Sequence, residues 1–148
     1  MSEPKRTVVK GFEDWTERIK AEVVLKRPNN EQVIIPIMAV SEADRMEITS
    51  VYRSLKPAKP KMSLDRAGNV RNNAPNAKAD EDYADAELYA SNIMRLMYIE
   101  KGCGWDIPGK NNDEKLEALR KKVPGEIDLL YTGILSISRL TDEDVGFF

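Results

Sequence analysis

The stretch Ala21–Val40, AEVVLKRPNNEQVIIPIMAV, decides the fold class. Two runs rich in β-branched residues, Ala21–Lys26 and Gln32–Val40, flank Pro28-Asn29-Asn30-Glu31. Strand formers on either side of a turn cluster predict a β-hairpin. In the second run Val33, Ile35 and Ile37 fall on one face. Pro36 has no N–H to donate, so an edge strand or a bulge is expected there.

Downstream of the hairpin the periodicity becomes helical. Ser41 is an N-cap, with Glu42 and Asp44 at the positive end of the helix it starts. Ile48, Val51, Tyr52 and Leu55 keep the spacing of one buried helical face, and Pro57 stops the helix. The segment 56–79, KPAKPKMSLDRAGNVRNNAPNAKA, is basic and short of apolar residues. It reads as a flexible linker.

A second helix is expected from about Glu81 to Lys101, with Asp80, Glu81 and Asp82 at its start and Gly102 and Gly104 ending it. Next come a turn, GWDIPGKNN, and a short helix, Asp113–Val123, with Leu116, Leu119 and Val123 inward. Pro124-Gly125 marks a break before a last helix, Glu126–Leu140. The expected fold is α+β, mainly α: an N-terminal β-hairpin and about four helices, with a long flexible loop between the first and second. One domain over 1–148 suits the length, comprising an arm (1–19), hairpin plus helix (20–55), linker (56–79), helical region (80–141) and tail (142–148).

Composition narrows the function. A net charge of -2 provides no overall field to attract nucleic acid or a membrane. The six basic residues of 56–79 allow nonspecific phosphate contact, but no aromatic residue accompanies them for base stacking. No run of about 18 apolar residues exists to span a membrane, and MSEPKRTVVKGFEDW lacks a signal-peptide core. The single cysteine excludes an internal disulfide and suits a reducing cytoplasm.

The chain has no histidine, which removes the commonest general base and zinc ligand. Cys103, at the negative end of a helix, is poorly placed to form a thiolate. The acidic groups Asp80–Glu87 and Asp142–Asp144 read as helix-start bias and solvated tail rather than as metal sites. No catalytic, cofactor or metal residue is expected.

What the sequence has in excess is apolar helix surface. Only Arg95 is polar in Ile93–Ile99, and Leu129, Leu135, Ile137 and Leu140 spill beyond the stripe Ile127, Leu130, Tyr131, Ile134. Either these two helices are covered on several sides by their own chain, or a face is kept for partners.

The string WDIPGKNNDEKLEALRKKVPGEIDLLYTGILSISRL resembles tail assembly chaperones of long-tailed bacteriophages, a likeness that covers about half the chain. The likeness rests on the short helix at Glu114–Leu119, the Pro124-Gly125-Glu126 turn and the apolar helix Ile127–Thr141. The polar N-terminus and early strands also suit such proteins, whereas the basic linker has no counterpart.

The resemblance implies a non-enzymatic protein of the host cytoplasm, absent from the mature virion. It would hold the tape-measure protein soluble and give way to tail-tube subunits. It also implies self-association or a longer frameshifted form, for which the codons of Val145–Phe148 or Arg120–Lys122 leave room. The partner-contact candidates under this reading are Met94, Met97, Tyr98, Leu130, Ile134 and Ile137, in a helix-in-groove mode. The alternatives are a structural virion component, such as a tail-completion or connector protein, and a small nucleic-acid-binding module.

Overall fold

A computed structural model describes residues 4, 6–15, 19–56 and 77–141, the side chains of 77–81 excepted. Two strands, β1 (Lys20–Lys26) and β2 (Gln32–Met38), form an antiparallel hairpin. Four helices follow: α1 (Glu42–Leu55), α2 (Ala77–Cys103), α3 (Asn112–Arg120) and α4 (Pro124–Ile137). The α+β, mainly α expectation therefore holds. The linker expected at 56–79 lies outside the described residues except at its two ends, and the tail 142–148 lies outside them entirely.

The hairpin turns through Pro28–Asn30, with Asn29 and Asn30 at φ 68° and 61°. Asparagine tolerates that left-handed backbone better than other non-glycine residues. The ladder closes with Arg27 N–H donating to Glu31 C=O at 2.8 Å, and continues past the strands with Ala39 N–H to Ile19 C=O at 2.7 Å. Alternation between these two points puts Pro36, opposite Glu22, in a pair without backbone bonds. Its nitrogen points away from β1, so it interrupts no ladder bond and the register has no bulge. Val23, Leu25, Val33, Ile35 and Ile37 face inward, while Val24 and Ile34 face solvent.

α1 is capped as expected: Asp44 N–H donates to the Ser41 hydroxyl at 3.2 Å, a contribution of about 1 kcal/mol. α2 begins at Ala77, earlier than its acidic residues suggested. Ala77 and Ala79 are strong helix formers, so Asp80–Asp82 sit within the helix. α2 also runs past Gly102 to Cys103. It ends at Gly104 (φ 68°), where Trp105 N–H returns to Glu100 C=O at 3.0 Å. This is a Schellman closure, which favours glycine at its left-handed position.

Gly102 has a different role. A Cβ there would stand 2.5–2.7 Å from three side-chain carbons of Ile134, so its bare backbone lets α4 cross tightly over α2.

α3 stops at Arg120, and Val123 is exposed rather than inward because it is the N-cap residue of α4. Pro124 does not break the last helix but starts it at N1, where its missing N–H costs nothing. α4 ends at Ile137, short of Leu140. Arg139 takes the left-handed position (φ 60°) as Leu140 N–H closes back on Leu135 C=O at 2.9 Å.

α2 is the central element. Ile93, Leu96 and Ile99 pack toward the hairpin, α3 and α4, in one cluster with Ile37, Leu116, Leu119, Ile127, Leu130 and Ile134. Ala90, Met94 and Tyr98 pack with Ile48 and Tyr52 of α1 and Leu135 of α4. Coverage on two sides explains why the second half of this helix, Ile93–Ile99, is apolar almost all round.

Candidate partner-binding surface

The six contact candidates are mostly covered by their own chain. Ile134 and Tyr98 are fully buried, and Leu130 and Met94 nearly so. Met97 and Ile137 are half-buried and pack against the core. Tyr98 meets Tyr131 edge-on, ring centroids 6.0 Å apart. In the folded chain the first four are interior packing and reach a partner only if helices separate, whereas Met97 and Ile137 keep part of their surface exposed.

The polar side chains around them act as ties between elements. Arg95, the polar residue inside Ile93–Ile99, reaches Asp128 of α4 at 3.2 Å. Tyr89 O–H donates to Asp113 at 2.8 Å, fixing the start of α3 on α2; that hydrogen bond, with some burial, raises the phenol's pKa. Lys115 Nζ bridges Glu100 at 3.1 Å and Asp106 at 3.5 Å, which raises its own pKa, chiefly through the Glu100 bond. Val40 N–H donates to the Ser138 hydroxyl at 2.8 Å, joining the end of β2 to the end of α4.

Of the concave surfaces among the described residues, two bear on partner binding. The first is a small apolar cleft of about 230 Å³ under the hairpin tip. Leu25 and Ile35, Leu119 of α3 and Ile127 and Leu130 of α4 wall it, and Trp105, 45% exposed, lines it. At its edge Arg27 clasps Glu126 with two hydrogen bonds, of 2.9 and 3.1 Å. Arg27 holds the Glu126 carboxyl below its ordinary value, by hydrogen bond first and charge second. The second is an open groove of about 790 Å³ where Phe12, Trp15 and Ile19 approach Val40 and the end of α4, including Ile137. Phe12 and Trp15 stack edge-on at 6.2 Å and are 84% and 65% exposed.

Sequence reasoning missed Trp105, reading GWDIPGKNN only as a turn. The signal was present: an apolar residue directly after the left-handed glycine of a helix end commonly folds back on the helix.

Cys103 is half-buried, and burial pushes its thiol up to about 11. Among the described residues no three of His, Cys, Asp or Glu converge as a metal would require. No helix among them is long and apolar enough to cross a membrane. Comparison with protein-family models, curated proteins and solved structures gave no match to this chain.

Proposed function

We propose that this chain is a tail assembly chaperone of a long-tailed bacteriophage, which binds apolar helical segments of the tape-measure protein and keeps them soluble until tail-tube subunits replace it. The observation that carries the reading is the apolar cleft lined by exposed Trp105, with the Arg27–Glu126 clasp on its edge. The resemblance of Trp105–Leu140 to such chaperones supports it, since the cleft is built largely from that segment.

In this reading one or two apolar side chains of a client helix enter between Leu119, Ile127 and Trp105, in a helix-in-groove mode. The cleft is small, so each engagement is weak and displaceable, as a transient chaperone needs. The groove beside Phe12 and Trp15 offers a second apolar contact along the same client.

The test is co-expression with the tape-measure protein of the same genome, followed by capture. The expected result is a soluble client that co-purifies with the wild type and is largely lost with Trp105→Glu, whose far-UV circular dichroism stays native. A client that remains insoluble, or is captured equally by the variant, overturns the reading.

A further inference from the structure

Among the described residues the hairpin is a two-stranded sheet, and each strand has an outer edge with no strand beside it. The edges are not equivalent. On β2 the outward backbone groups belong to Gln32, Ile34, Pro36 and Met38, and Pro36 breaks that row of donors. On β1 they belong to Lys20, Glu22, Val24 and Lys26, and all four N–H groups are present. Among the described residues no other strand or backbone bond engages this edge.

We infer that the β1 edge pairs with β1 of a second copy of this chain, making a twofold dimer with a continuous four-stranded sheet and two α4 helices side by side beneath it. Charge complementarity selects the second copy and its register. Three antiparallel twofold registers pair more than half of each strand. Centring on Glu22 sets that carboxylate against itself, and centring on Val23 sets Lys20 against Lys26 twice. Centring on Val24 places Glu22 opposite Lys26 of the second copy, and by symmetry does so twice. Opposite charges across a strand pair stabilise, and like charges destabilise.

The helix layer argues independently for the same contact. α2 packs on α4 and on β2, while α4 packs on both strands; Gly133 rests against Val23 and Ile37. The flank of α4 turned away from α2 therefore lies on the β1 side. That flank carries Gly125, Leu129, Thr132 and Ser136, all exposed and spaced as a seam along one side of the helix.

Strand spacing of about 4.8 Å puts two helices so placed about 10 Å apart, within packing distance. The seam is small-sided apart from Leu129, which lies near the twofold and is 52% exposed in the single chain. Val24, 45% exposed, meets its own copy at the axis. One pairing thus covers two apolar side chains that the single chain leaves in water.

This inference does not depend on the client, so the full chain is tested alone, by light scattering and sedimentation over a concentration series. The expected mass is twice the 16.8 kDa of the chain. Val24→Pro leaves the hairpin ladder intact but removes the central edge donor, as Pro36 does on β2. It and Leu129→Glu are expected to give monomers with native circular dichroism.

Glu22→Lys or Lys26→Glu alone is expected to weaken the dimer about tenfold, and the double charge swap to restore it. A wild type that stays monomeric at every concentration overturns the inference. So does a dimer indifferent to both Val24→Pro and Leu129→Glu, or a charge swap that fails to restore affinity. A monomeric wild type whose client capture is lost in Val24→Pro also overturns it, assigning the edge to a client strand instead.

Discussion

Gly102 is where the crossing of α2 and α4 is most exposed to a single methyl group. In Gly102→Ala the new Cβ meets Ile134 Cδ1, Cγ1 and Cγ2 at 2.5, 2.6 and 2.7 Å. Rotation of the terminal carbon relieves only one of the three, because Ile134 is branched at Cβ and fully buried. The helices must part, and overpacking of this kind costs about 1–3 kcal/mol. Alanine returns up to about 1 kcal/mol of helix propensity over glycine.

The net expectation is a loss of about 1–2 kcal/mol, read by urea unfolding at 222 nm, and a Tm lower by about 3–6 °C. Ile134→Ala alone should cost about 2–5 kcal/mol through its cavity. In the double variant the added methyl occupies part of that cavity, so the two effects should fall short of additivity by at least about 1 kcal/mol. Greater dye binding by Gly102→Ala should accompany the loss, since Tyr98 and Ile134 are covered only while this crossing is closed. A Gly102→Ala protein as stable as the wild type, or more so, or an additive double variant, refutes the close crossing.

Two pH effects follow from the groups whose protonation is shifted. Burial raises Cys103 to about 11, so the thiolate fraction at neutral pH is very small. Alkylation by iodoacetamide should therefore climb about tenfold per pH unit from pH 7 to 10; a plateau near pH 9 would contradict the burial. The Glu126 carboxyl is lowered from 4.5 by Arg27. Its contribution is complete above that pH and is lost as pH falls through the lower folded value. The stability gap between wild type and Glu126→Gln should therefore be constant above about pH 5 and close in acid, as unfolding at stepped pH would show; a gap unchanged down to pH 2 would mean the clasp is absent.

The legible parts of this protein are those whose cause is local. The hairpin could be read because β-branched alternation and a Pro-Asn-Asn turn act over a few residues, and Ser41 because a cap needs only the next three. The helix count followed from apolar spacing. The ends of the helices were less legible. Pro124 both breaks a preceding helix and starts a following one, and Gly102 reads as a terminator whether or not a neighbour needs its missing side chain.

The apolar excess of α2 and α4 marks the sequence limit most clearly. Composition showed that Ile93–Ile99 and Ile127–Leu140 had to be covered, and left open by what. Only the packing decided it: α1 covers Ala90, Met94 and Tyr98, while the hairpin, α3 and α4 cover Ile93, Leu96 and Ile99. Six residues picked as contacts for their apolar character therefore lie mainly inside. Exposed apolar side chains such as Trp105, Val24 and Leu129 come from separate segments that only the fold arranges. Burial is a property of what lies across from a residue, often about a hundred positions away, as Ile37 and Ile134 are in one buried cluster. Strand and helix are properties of the residues next to it.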